Sequence, residues 1–265
     1  MKLIVDSLSF GYPHCQPLLK EVSFSAEGGE LISLLGPNGT GKTTLFRCIL
    51  GQLRASGTIT LDGQPLSALS PRQLAAKVAY IPQSHSPAFS YPVEEMILMG
   101  AAAGLKWFQH PGRAERERLD EVMDNLGLET LRGRAFDTLS GGEQQLVMMA
   151  RAMMTDARVW LLDEPAANLD YGNQTRLLLQ LQQLAAKGYL LIQSTHSPQQ
   201  AALYSSRVLA LADGVLAGDG DPAKVLDAGM IQTLYGLKVK AVDIPSGGRD
   251  VRVFLPDESK YRKEM

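Results

Sequence analysis

The sequence predicts an α/β protein in which a mainly parallel sheet carries an N-terminal antiparallel β-region and an inserted helical lobe. Three observations predict it. Leu31–Leu35, Val159–Leu162 and residues 189–193 are short, nearly continuous apolar runs, the pattern of strands buried on both faces. Polar residues follow each run, where parallel sheets place their chemistry. Residues 3–10, 22–26 and 57–61 instead alternate apolar and polar side chains, as half-buried strands do. Between about residues 93 and 155 apolar side chains recur at helical spacing.

In chain order, residues 3–10 and 22–26 give the first two strands. The run Leu31–Leu35 ends at Gly36, and a Gly-rich turn leads into a helix over 43–50, with a further strand at 57–61. In the lobe, Arg113–Leu126 sets Leu119, Val122, Met123 and Leu126 on one helix face. Residues 143–154 repeat that spacing with Leu146, Met149, Ala150 and Met153. After the strand Val159–Leu162, a helix over 173–187 is stopped by Gly188. Asp213-Gly214 between apolar runs predicts a tight hairpin over 209–216. Residues 222–234 read as one helix, and 238–244 and 251–255 as short strands joined through Ser246-Gly247-Gly248.

Composition narrows the function classes. The chain has 265 residues, 45% hydrophobic and 20% charged, a globular balance that excludes a disordered or fibrous protein. Lys and Arg number 26 against 28 Asp and Glu, a net charge of −2 that lacks the basic excess of a duplex-binding domain. Cys15 and Cys48, the two cysteines, stand in no metal-ligand spacing, which points to a reduced, cytosolic setting. No apolar run approaches the roughly 18 residues of a membrane span, and residues 1–10 lack the layout of a signal peptide. The expectation is a soluble chain that reaches a membrane only through a partner.

The strongest motif is Gly36-Pro37-Asn38-Gly39-Thr40-Gly41-Lys42-Thr43, a G-x-x-x-x-G-K-[ST] phosphate-binding loop between a predicted strand and helix. Its glycines let the backbone wrap a phosphate chain, so that successive N–H groups and the helix N-terminus meet the anion. Lys42 would reach the β and γ phosphates, Thr43 would offer its hydroxyl to Mg²⁺, and Thr44 would bond the α phosphate. An ordinary Gly-rich surface turn competes with this reading but leaves the flanking strand and helix unexplained.

Asp163 and Glu164 end the strand Val159–Leu162, and adjacent acids there can divide labour. Asp163 can hold Mg²⁺ while Glu164 orients and polarises a water. On its own the pair also fits a strand ending in solvated acids. Leu139-Ser140-Gly141-Gly142-Glu143 reads as a capping box, with Ser140 as N-cap and Glu143 three residues on. A helix start with two glycines and a serine is also an anion site, so a nucleotide held between two copies of the chain would use both helix ends.

Together with Gln83 after Tyr80-Ile81-Pro82, with Asn168-Leu169-Asp170 and with Ser194-Thr195-His196, these motifs stand in the order and spacing of the ATP-binding cassette (ABC) ATPases, which the chain resembles from about residue 3 to 220. The resemblance implies a P-loop NTPase core over residues 1–236, a helical subdomain near 93–155 and a short C-terminal extension over 237–265. It implies ATP and Mg²⁺ as ligands. Tyr12 would stack on adenine, with Phe10 as a competitor. Gln83 would touch Mg²⁺ and the attacking water and sense a membrane partner. His196 would contact the γ phosphate, although a lone histidine is more often structural. Asp170 would cross a dimer interface, and Ser140, Gly141 and Gly142 would contact the partner's ATP. Leu146, where many relatives carry arginine, and Asn168, in place of a small residue, depart from the common pattern. Glu164 and His196 are both present, so hydrolysis is implied.

The resemblance further implies a head-to-tail homodimer docked on two transmembrane permease subunits and served indirectly by a substrate-binding protein, at the cytoplasmic face of the bacterial inner membrane. Residues 90–100, 169–174 and the tail resemble importer ATPases for iron chelates, haem and cobalamin, with a related molybdate group. The alternative is a soluble ABC ATPase acting on nucleic acid or ribosomes. The neutral charge, the compact lobe and the single cassette speak against it.

Overall fold

The alternating N-terminal segments form an antiparallel pair, β1 (Lys2–Phe10) and β2 (Leu19–Glu27). The computed structural model describes residues 1–83, 89–103, 111–167, 169–246 and 249–257. Along β1, Leu3, Val5 and Leu8 are buried, and a bulge after Val5 turns the alternation so that Leu8 still faces inward. The uniformly apolar run becomes β3 (Leu31–Leu35), buried at every residue, and leads into α1 (Lys42–Ile49). Then come β4 (Ser56–Leu61), the two-residue β5 (Gln64–Pro65), α2 (Pro71–Ala75) and β6 (Val78–Ile81). Strands β2-β1-β4-β5 make one antiparallel sheet.

Between β6 and the next strand the chain is helical where described, with α3 (Val93–Leu98), α4 (Arg113–Leu126), α5 (Gly141–Met153) and short 3-10 turns. The expected span of α4 is met at both ends, and Gly127 closes it at φ 66°. α5 starts two residues earlier than its apolar spacing suggests, because Ser140 caps it. Its buried side is also broader: Gln145, Val147, Met148, Met149, Ala150 and Ala152 are buried, whereas Leu146 and Met153 are only partly so. Packing against neighbours on several sides, not one stripe, sets that pattern.

The chain returns as β7 (Val159–Leu162), α6 (Tyr171–Ala186), β8 (Leu190–Thr195), α7 (Pro198–Tyr204), β9 (Arg207–Ala212) and β10 (Val215–Gly220). The second sheet has the order β10-β9-β3-β8-β7-β6, parallel throughout except for the β9–β10 hairpin. Asp213 (φ 48°) and Gly214 (φ 83°) make its turn, as the sequence predicts. Gly214 is also needed for space, since a Cβ there would lie 2.3 Å from the Leu18 carbonyl oxygen.

The tail differs from expectation. Residues 222–234 form two helices, α8 (Pro222–Val225) and α9 (Ala228–Tyr235), because Asp227 breaks the run and caps α9 through Met230 N–H at 2.6 Å. The hairpin β11 (Val239–Ser246) and β12 (Arg249–Pro256) follows; its Gly247-Gly248 turn and Asn168 lie outside the described residues. Among the described residues no helix is long and apolar enough to cross a membrane.

Burial on both faces of the parallel sheet explains its continuous apolar runs. Trp160 and Leu162 point into a core shared with α3–α6, while Val159 and Leu161 point into a core shared with α1 and the antiparallel sheet. Trp160 is 0% exposed, its indole N–H donates to the Ala157 carbonyl at 3.1 Å, and Tyr189 meets it edge-on at 5.6 Å. Trp160→Ala is expected to cost about 3–5 kcal/mol. Urea denaturation reads this as a lower midpoint, and an unchanged midpoint would contradict the packing described.

Candidate active site

The expected chemistry gathers at the C-terminal ends of four neighbouring parallel strands, β3, β8, β7 and β6. The turn after β3 requires glycine at specific points. Gly39 and Gly41 have φ of 83° and 103°, and a Cβ on Gly36 would lie 2.5 Å from the Leu211 carbonyl oxygen. Thr40 Oγ1 donates to the Pro37 carbonyl at 2.9 Å, which tightens the loop, and Asn38 stays exposed. No side chain caps α1, so its first N–H groups are left for an anion.

Lys42 is buried and folds back over the loop, with Nζ donating to the Gly36 and Pro37 carbonyls at 2.8 Å each. Burial lowers its pKa, while the carboxylates of Glu164 and Asp163 pull in the opposite direction. Thr43 Oγ1 donates to Asp163 Oδ2 at 2.7 Å. Thr44 is buried, and its hydroxyl lies 3.4 Å from that of Tyr12, whose ring meets Phe10 edge-on at 4.9 Å. Tyr12 and its sequence competitor thus form one aromatic pair beside the loop.

Asp163 is 4% exposed and held from three elements. Ser194 Oγ donates to Oδ1 at 2.6 Å, and Thr43 and Tyr80 (3.3 Å) donate to Oδ2. Burial, and then the charge of Asp163, pushes the Tyr80 phenol up to about 12, so it remains a donor. Glu164 has φ of 46°, in the left-handed region that a residue with a side chain rarely adopts. Ser194 stabilises that turn by accepting the Glu164 N–H at 2.9 Å. The Glu164 carboxylate meets Gln83 Nε2 at 3.3 Å, His196 Nδ1 at 3.3 Å and Lys42 Nζ at 3.9 Å. Gln83, Glu164 and His196 thus converge from the ends of β6, β7 and β8.

Ser194 and Tyr80 carry this arrangement without a role having been read for them in the sequence. Both lie in segments with a visible signal, Ser194 beside His196 and Tyr80 just before Gln83, but the bond to Asp163 depends on strand neighbours. Thr43 and Asp163 offer a pair of hard oxygens suited to a cation that keeps water and phosphate as its other ligands. Among the described residues no group of three or more His, Cys, Asp and Glu forms a metal cage.

The remaining expected residues sit elsewhere. Ser140 caps α5 in the predicted box, accepting Glu143 N–H at 3.4 Å, while Glu143 Oε2 accepts first the Ser140 hydroxyl at 2.7 Å and then its N–H at 2.8 Å, bonds that lower the Glu143 pKa. Asp170 caps α6 through Asn173 N–H at 2.9 Å, and that bond lowers its pKa. The two caps are neighbours, since a Cβ on Gly142 would lie 3.3 Å from Asn173 Nδ2. Gly141 is exposed at the start of α5. Among the described residues no hydrogen bond or ion pair joins Ser140, Gly141, Gly142 or Asp170 to the loop containing Lys42.

A phosphate-binding loop beside a buried Thr–Asp pair and a glutamate at adjacent strand ends defines a P-loop nucleotide hydrolase. Its family follows from comparison. The family model described as ABC transporter matches residues 19–167. The hemin import ATP-binding protein HmuV of Enterobacter cloacae is 40% identical over 240 residues, covering 88% of this chain and 89% of its own. The zinc transport system ATP-binding protein TroB of Treponema pallidum is 32% identical, covering 93% and 91%. An inward-facing structure described as a metal-chelate type ABC transporter superposes with a TM-score of 0.85 at 27% identity, covering 98% of both chains. The chain belongs to the ABC transporter ATP-binding family, binds ATP and catalyses its hydrolysis.

Proposed function

We propose that this chain energises the bacterial import of a metal chelate, with haem as the first candidate. The observation that carries the reading is coverage: the metal-chelate type structure matches 98% of the chain, C-terminal hairpin included, whereas other similar structures match 84–89%. The 40% identity to a hemin import subunit supports it. A free divalent metal is the second reading, favoured by the zinc relative. The nucleic-acid alternative gains no support from these relatives.

In the proposed cycle two copies of the 1–236 body meet head to tail. Each ATP lies between Gly36, Pro37, Asn38, Gly39, Thr40, Gly41, Lys42, Thr43 and Thr44 of one copy and Ser140, Gly141, Gly142 and Asp170 of the other. The split of these residues into two separate clusters within one chain supports that arrangement. Tyr12 stacks on the adenine, and Lys42 turns from its own loop carbonyls to the phosphates. Thr43, Asp163 and Gln83 would hold Mg²⁺, which supplies charge neutralisation at the transferring phosphoryl group. Glu164 takes the proton of the attacking water as the bond to the leaving ADP oxygen breaks, and His196 orients that water and the γ phosphate. The products are ADP and phosphate.

The subunit would lie on the cytoplasmic face of the membrane, docked on two permease subunits that receive substrate from a binding protein. A groove of about 600 Å³ lined by Tyr80, Pro82, Met99, Gly100, Met148 and Arg151 supports docking between the sheet and the 93–155 helices. Arg151 there is half-buried, and that burial lowers its pKa. Co-reconstitution with a haem-type permease pair and its binding protein in vesicles tests the reading. ATP-driven haem uptake, absent with zinc ion or molybdate, is the expected result. Uptake of zinc ion alone would transfer the assignment to the second reading.

A further inference from the structure

Tyr235 ends α9, just before the C-terminal hairpin, and its phenol donates to the main-chain carbonyl of His196 at 2.9 Å across 39 residues of sequence. His196 in turn places Nδ1 at 3.3 Å from the Glu164 carboxylate. Its side chain is 53% exposed, so packing alone does not fix it; its backbone must. Burial first, and then the charge of Glu164, raises the Tyr235 pKa, which keeps the phenol protonated and able to donate.

The hairpin braces the same segment from outside. Gln199 Nε2 on α7 donates to the Arg252 carbonyl on β12 at 3.1 Å. The Arg252 guanidinium pairs with Asp243 through two bonds of 2.7 Å and also reaches the Ala223 and Leu226 carbonyls. Phe254 packs onto the cluster formed by Leu35, Ala201, Leu226 and Leu234. Inside, Gln200 Nε2 donates to Gln174 Oε1 at 3.1 Å. The turn carrying His196 is thus held between α6 and the tail.

We propose that Tyr235 is a positioning residue for ATP hydrolysis: by holding the His196 carbonyl it sets the imidazole against Glu164. The proposal rests on the reading of His196 and Glu164 as catalytic. The chain's tail thereby contributes to turnover without touching nucleotide.

Tyr235→Phe removes the donor and keeps the ring. Turnover measured with radiolabelled ATP should fall about tenfold, equivalent to about 1.4 kcal/mol, with KM for ATP and Tm unchanged. In a His196→Ala background the same change should have no further effect, because the residue it acts through is gone. An unchanged kcat in Tyr235→Phe overturns the proposal. So does an equal loss in both backgrounds, or a lowered Tm accompanied by such a loss. Full turnover in His196→Ala alone instead overturns the reading of the site, whatever Tyr235 does.

Discussion

Glu164→Gln is expected to lower ATP turnover by about 10²–10⁴, the usual effect of removing a general base, while leaving ATP bound. The amide preserves the shape and the contacts to Gln83 and His196 but cannot take the proton of the attacking water. Near Lys42, at 3.9 Å, the substitution also removes a negative charge that would repel the γ phosphate. Binding should therefore hold or tighten. Closure that depends on ATP then persists, and the variant should elute as a dimer from gel filtration in ATP while the native chain does not. Normal turnover in this variant would remove Glu164 from its proposed place.

Lys42→Ala should act on the other quantity, affinity. The ammonium is 6% exposed and bonded to two carbonyls of the loop that would hold the phosphates. Truncating one partner of a buried, hydrogen-bonded charge pair costs about 2–5 kcal/mol, a loss of roughly thirtyfold or more in Kd. Titration calorimetry with ATP measures it directly. The loop carbonyls of Gly36 and Pro37 also lose their donor, so some loss of loop order should accompany the change. A Kd within a factor of two of the native value would contradict the role given to Lys42.

Much of this was legible in the amino acids because the relevant signals are local. α4 follows from spacing plus a closing glycine, β7 from four apolar residues ending in two acids, and the β9–β10 turn from Asp213-Gly214. The phosphate-binding loop is likewise a local pattern. What escaped the sequence is long-range. The three donors on Asp163 come from α1, β6 and β8, and only strand order brings them together. α5 shows partial exposure of Leu146 because its neighbours, not its own periodicity, choose its buried side. The break at Asp227 turned on a single capping side chain within an otherwise helical run. Tyr235 gave no sign of its bond to His196, since nothing in a tail sequence says which loop it will fold against.

The placement of β6 beside β7 has one more consequence. Val78 pairs with Val159 and Ile81 with Leu162 in parallel register, so the chain leaves at the C-terminal end of β6 and re-enters at the opposite end of the neighbouring strand, displaced sideways by one strand spacing of about 4.8 Å. Gln83 and Glu164 are therefore neighbours through the ladder and not through the intervening chain. The excursion is fastened to a stiff frame at opposite ends of two neighbouring strands, like a handle on a door. The pairing of Ile81 with Leu162 sets Gln83 beside Glu164 whatever the length of the chain that carries Ser140 between them.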